Sequence, residues 1–140
     1  MDAPSCRKRL TDYIASMYGC EPEALWPRWP SDVIFRHGDN RKWFALMMEV
    51  KRCKMGLTGE SLVDVLNVKM GDPLFAELLA QQPGYRMAYH MQRGSWVSVL
   101  LDGTVPFEEI IKRVDESYAV TATQLKRPRK KEQTEATECF

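Results

Sequence analysis

The sequence predicts an α+β fold: an antiparallel sheet of about four to five strands with helices packed on one face. Three observations lead there. Residues 33–37 and 42–50 are β-prone runs joined by Gly38-Asp39-Asn40, a hairpin-type turn, and hairpin-linked strands pair antiparallel. Residues 96–101 are apolar and β-prone, with Ser98 the only polar break, and they pass through the turn Asp102-Gly103 into an amphipathic helix. The order of elements is helix, three strands, helix, strand, helix, which suits helices segregated to one side of a sheet.

Each element has its own warrant. Residues 5–18 read as a helix because Cys6, Leu10, Tyr13, Ile14 and Met17 recur on one stripe, Ser5 is a fitting N-cap and Gly19 a fitting end. Residues 20–32 form a connector broken by Pro22, Pro27 and Pro30, with Trp26 and Trp29 among them as plugs for the edge of the core, or alternatively as an aromatic-rich binding lip. In the second strand Phe44, Leu46 and Met48 are expected on one face, and Trp43, Ala45, Met47 and Glu49 on the other. Residues 51–60 are polar, contain Gly56 and Gly59, and read as a flexible loop. Residues 62–70 alternate as a third strand. Asp72-Pro73 opens a second helix as N-cap and first helical residue, with Leu74, Phe75, Leu78 and Leu79 as its stripe, ended by Pro83-Gly84. Residues 85–91 are extended or loop. In the last helix Pro106 occupies the first turn, and Phe107, Ile110, Ile111, Val114 and Tyr118 form the stripe. Residues 1–122 are thus one domain. After them the periodicity dissolves, so residues 123–140 are expected to be a disordered basic tail.

The totals limit the function classes. The 140 residues carry 20 Lys and Arg against 19 Asp and Glu, a net charge of +1. The tail from Lys126 on has five basic and three acidic residues, which leaves the body at −1. Such a body is no general nucleic-acid sponge, and DNA binding needs a local patch. No run of eighteen apolar residues predicts a membrane span. The charges at the N-terminus have no apolar segment behind them, so no secretory signal is expected. Cys6, Cys20, Cys53 and Cys139 make no Cys-x-x-Cys pair and have no His at ligand spacing, which argues against zinc and for a reduced, cytoplasmic chain.

Specific chemistry is sparse. His37 ends a hairpin strand and His90 lies in a loop, neither in triad-like context. Ser95, Ser98 and Ser117 lack a nucleophile-elbow context, and Gly56-Leu-Thr-Gly59 is not a phosphate loop because no Gly-Lys-Ser/Thr follows. No enzyme activity and no cofactor are expected. Between Arg36 and Lys54 stand six basic residues (Arg36, Arg41, Lys42, Lys51, Arg52, Lys54) against Asp39 and Glu49, a net of +4. The strip reads two ways: as phosphate contacts on a protruding β-ribbon, or as a solvated hairpin that keeps a sheet edge from pairing.

Several stretches together resemble the MmcQ/YjbR family. Ser16-Met-Tyr-Gly19 followed by Trp26-Pro27 is similar to its helix end and proline connector. Val33-Ile-Phe-Arg36 and Lys42-Trp-Phe-Ala45 resemble its first hairpin, and Leu66-Asn-Val-Lys-Met-Gly-Asp-Pro73 its strand-to-helix joint. Tyr89-His-Met-Gln-Arg93, Trp96, Asp102-Gly103 and Val114-Asp-Glu-Ser-Tyr118 resemble its C-terminal motifs. The likeness spans roughly residues 5–121. Two departures stand out: Gln92-Arg93 replaces the family's Asn-Lys, which changes the geometry of the charge, and residues 51–60 are long and basic. The iron chemistry of the related frataxin fold would need clustered carboxylates, whereas the first helix has Arg7, Lys8 and Arg9 with Asp12 its only acid past the cap.

The resemblance implies a fold like that of CyaY, the bacterial frataxin, and DNA binding by wing-like β elements. On that implication the phosphate contacts fall to Arg36, Arg41, Lys42, Lys51, Arg52, Lys54, Lys69 and Arg93, with double-stranded DNA as the partner of a monomer. The rival is a protein-interaction module anchored by exposed Trp26, Trp29, Trp43 and Trp96.

Overall fold

The computed structural model describes residues 5–88 and 95–123. Within them the order is α1 (Cys6–Tyr18), β1 (Val33–Arg36), β2 (Trp43–Lys51), a 3-10 turn (Arg52–Met55), β3 (Leu62–Lys69), α2 (Pro73–Ala80), β4 (Tyr85–Met87), β5 (Trp96–Leu100) and α3 (Phe107–Thr121). The strands form one sheet in the order β1-β2-β3-β5-β4, with every neighbouring pair antiparallel. This is the α+β class the hairpin and the element order predict. Residue 93 and the tail from 124 on lie outside the described residues, as does the expectation of disorder there.

Local chemistry sets the helix ends. Ser5 caps α1 by accepting from the Lys8 amide, and Gly19 ends it in the left-handed conformation at φ 67°. Asp72 caps α2 by accepting from the Leu74 amide, with Pro73 in its first turn. Pro106 is the residue before α3 rather than within its first turn, and Glu108 and Glu109 lie at the helix's positive end.

Two apolar layers flank the sheet. On one face Leu10 and Ile14 of α1, Ala76 and Leu79 of α2, and Ile110 and Val114 of α3 pack on Phe35, Phe44, Met47, Leu66, Val68, Val97 and Val99. On the other, Ile34, Leu46, Met48, Val50, Val63, Val65 and Leu100 are met by Trp26, Trp43, Met55 and Leu57. All three helices therefore sit on one side. The second side is covered by the connector after α1 and the turn after β2, without a helix of three turns among the described residues.

Three sequence expectations are corrected. The alternation in β2 breaks at Phe44: Phe35 pairs with Ala45 but Arg36 with Trp43, so Phe44 is one extra residue. This bulge turns Phe44 to the helix side with Ala45 and Met47, and leaves Trp43 with Leu46 and Met48. Residues 51–60 hold a 3-10 turn whose Met55 is buried, because the second layer needs an apolar cover there. In α2 only Ala76 and Leu79 are buried. Leu74, Phe75 and Leu78 point outward, since a two-turn helix can seat only one narrow side on the sheet.

The bulge is stitched to α3. The buried Ser117 hydroxyl donates to the Phe44 carbonyl at 2.6 Å and accepts from the Lys69 amide at 2.9 Å. It thereby satisfies backbone groups of two strands where the ladder is irregular.

Candidate nucleic-acid interface

The connector shapes the second face. Glu23 exchanges both backbone hydrogen bonds with Ile34, each 2.9 Å, which pairs the connector to the outer edge of β1. Turns closed by Trp29 N–H to the Trp26 carbonyl and by Asp32 N–H to the Trp29 carbonyl then fold it back toward the sheet. Arg7 of α1 fastens its end by donating to the Ser31 carbonyl and to Asp64. The result is a groove of about 810 Å³ along β2. Trp26, Trp29, Trp43, Met48 and Leu62 are among its apolar lining, and Arg28, Lys51 and Lys54 bring positive charge to it. Trp26 and Trp43 meet edge to face at 5.8 Å. Trp29 is 56% exposed, with the Arg28 guanidinium 5.3 Å from its ring centre. Two carboxylates, Asp32 and Glu49, also line the groove.

The predicted cations do not form one cluster. Arg41 and Lys42 are exposed at the hairpin tip. Lys51, Arg52 and Lys54 lie at the far end of β2, eight residues on, roughly 26 Å at about 3.3 Å per residue. Lys69 ends β3 opposite Trp96, at the tip end of the sheet, and is half-buried. The single strip of the sequence is thus two groups, because an extended strand carries its ends apart.

Availability differs as well. Arg36 Nε and Nη2 reach the two oxygens of Glu23 at 3.0 and 2.6 Å, so this guanidinium is already forked on a carboxylate. That contact holds the Glu23 carboxyl below its ordinary range. Arg52 Nε donates to the Thr58 carbonyl at 3.0 Å and closes its own loop. Lys51 is 3.4 Å from Glu60, both strongly exposed. Among the described residues no carboxylate lies within ion-pair distance of Arg28, Arg41, Lys42 or Lys54. Arg93 is outside the described residues.

Arg28 is the residue sequence reasoning missed. Its signal was the run Trp26-Pro-Arg-Trp-Pro30, which alternates rings and prolines around one cation. Of the four tryptophans, Trp26, Trp29 and Trp43 gather at the groove, whereas Trp96 opens β5, beyond β3.

The described candidate catalytic groups are in structural use; His90 lies outside the described residues. His37 is buried between Phe44 and Tyr118, its Nε2 2.8 Å from the Thr121 hydroxyl, and burial lowers its pKa. The Ser98 hydroxyl donates to the Asn67 side-chain carbonyl and Ser95 to the Met70 carbonyl. Tyr13 and Tyr18 both donate to Asp115, and burial together with that carboxylate raises the Tyr18 pKa. Among the described residues no three His, Cys, Asp or Glu side chains gather as metal ligands, and no helix is long and apolar enough to cross a membrane.

Comparison with known proteins gives concordant results. The YjbR family model matches residues 15–120. The uncharacterised protein YyaQ of Bacillus subtilis is 31% identical over 115 residues, which are 82% of this chain and 97% of that protein. A crystal structure of a Pseudomonas syringae protein superposes with a TM-score of 0.79 at 35% identity, covering 83% of this chain and 98% of the other. A Deinococcus radiodurans protein shares the fold at a TM-score of 0.59 and 24% identity, over 80% of this chain and 75% of its own.

Proposed function

This chain belongs to the YjbR family, and from that premise we propose that it is a cytoplasmic DNA-binding protein that performs no reaction. One observation supports this above the others: Arg28, Arg41, Lys42 and Lys54 are exposed and, among the described residues, outside ion-pair distance of any carboxylate, Arg41 and Lys42 at the hairpin tip and Arg28 and Lys54 on the groove beside β2. Free cations on an exposed surface suit phosphates, which hold a protein on DNA without reading its sequence. Arg36 is removed from the contact set by Glu23.

The electrostatic part is testable by salt. About four phosphate contacts give a slope near −3.6 in log affinity against log salt, roughly a 100-fold loss between about 50 and 200 mM. Anisotropy of labelled DNA across that range is expected to show this loss. It is also expected to show little binding by a variant carrying Arg28→Ala, Arg41→Ala, Lys42→Ala and Lys54→Ala, all exposed positions. Undiminished binding by that variant, or affinity that ignores salt, overturns the reading.

A protein-interaction module is the second reading. Leu74, Phe75 and Leu78 favour it, because they expose an apolar side of α2. An apolar partner interface would hold its affinity as salt rises.

A further inference from the structure

We propose that the groove along β2 receives an unpaired nucleic-acid strand, its bases against the indoles and its phosphates on Arg28, Lys51 and Lys54. This deepens the DNA-binding reading and rests on it. Trp26, Trp29, Trp43, Leu46, Met48 and Leu62 make the groove mainly apolar, with the cations added to it. A duplex turns its phosphates outward and keeps its base faces stacked inside, so it has nothing to offer an apolar hollow. An unpaired strand exposes both. Its base faces stack on aromatic rings, and its backbone follows positive charge.

Trp29 is the residue through which this works. It is more than half exposed, although an indole is among the least water-tolerant surfaces a protein can show. Prolines flank the Arg28-Trp29 pair at positions 27 and 30, and the turn hydrogen bonds of residues 26–32 hold it. The ring is therefore presented on a stiff support and loses little freedom when a base covers it. Arg28 already lies over that ring and can take the phosphate next to the stacked base.

The carboxylates fit the same occupant. Asp32 accepts from the Glu49 backbone amide at 3.4 Å, and both acidic residues line the groove. Unpaired bases offer N–H donors on their Watson–Crick edges, and carboxylates accept from them. Paired bases keep those donors inside the helix. A surface built for phosphate alone would gain nothing from two acids among three cations.

The experiment compares a labelled 12-nucleotide strand with its 12-base-pair duplex, against the full chain and against Trp29→Ala and Trp29→Phe. Trp29 is exposed, so both variants keep the fold. The single strand is expected to bind more tightly than the duplex and to quench tryptophan fluorescence. Trp29→Ala is expected to weaken it about 10-fold, and Trp29→Phe to retain most of the affinity. Tighter binding of the duplex, or a Trp29→Ala variant that holds the strand unchanged, overturns this inference and leaves the cation-based reading standing. Binding of neither form overturns both. A proline-rich peptide that occupies the groove and displaces the strand reassigns the site to a protein partner and also overturns the inference.

Discussion

The Arg36 guanidinium is forked on the Glu23 carboxylate, with nitrogens 2.6 and 3.0 Å from its two oxygens. The pair bridges β1 and the connector, thirteen residues apart, at the point where the connector joins the sheet edge. It has a consequence for binding. Arg36→Ala is expected to leave DNA affinity unchanged, whereas Glu23→Gln frees a cation next to the hairpin. The second variant is expected to steepen the salt slope by about 0.9, one further phosphate contact. Equal weakening by Arg36→Ala and Lys42→Ala in an anisotropy titration would show that Arg36 is in fact a contact residue.

The buried Ser117 hydroxyl has two backbone partners. Ser117→Ala leaves the Phe44 carbonyl and the Lys69 amide without their side-chain partner. The expected cost is about 1–3 kcal/mol. Thermal unfolding is then expected roughly 4 °C lower per kcal/mol. A midpoint equal to the parent's would show that the strands close this gap by themselves.

His37 makes stability depend on pH. The Thr121 hydroxyl donates to the Ser117 carbonyl and lies 2.8 Å from His37 Nε2, and the buried ring packs against Phe44 and Tyr118. Burial lowers its pKa below the ordinary 6.5; Asp39 and a hydrogen bond to the Tyr118 backbone oppose that shift, and Lys42 adds to it. The unfolded chain therefore takes up this proton first as pH falls. The contribution is full above about pH 6.5 and is lost on going lower. The urea midpoint is expected to drop between about pH 7 and 5, and His37→Gln to flatten that drop. An equally steep decline in the variant would assign the titration elsewhere.

Gly84 occupies a conformation closed to side chains. Its φ is +85°, and an added Cβ would lie 2.5 Å from Val105 Cγ2 and 3.1 Å from Thr104 Cγ2. Gly84→Ala is expected to cost about 2 kcal/mol or more, from the left-handed backbone and the clash together. Chemical denaturation measures it; a loss of only a few tenths would mean that residues 104 and 105 shift freely.

What could be read from the residues was what local chemistry decides. Ser5, Gly19, Asp72 and Pro73 mark helix ends because caps are satisfied within one turn of chain. The hairpin at 38–40 and the α+β class with about four to five antiparallel strands followed from turn chemistry and alternation, whereas β4 lies in a stretch that read only as extended or loop. The rest depended on distant partners. Nothing in 42–50 signals the bulge at Phe44, whose carbonyl is met by a serine 73 residues away. Four apolar residues in α2 looked like one buried stripe, but the sheet has room for Leu79 beside Ala76. The basic strip looked continuous because sequence counts charges without lengths. β2 separates its ends, and Glu23 removes Arg36. The groove was partly visible in its tryptophans, but not Arg28 or the side on which they meet.

The most direct test of the account is a backbone amide shift map of the labelled protein during titration with an oligonucleotide. Shifts are expected to concentrate in residues 26–32, 43–51 and 54, the connector and strand that frame the groove, and in Arg41 and Lys42 at the hairpin tip. Shifts confined to α1 and α3 on the opposite side of the sheet, or no shifts at saturating oligonucleotide, would contradict it.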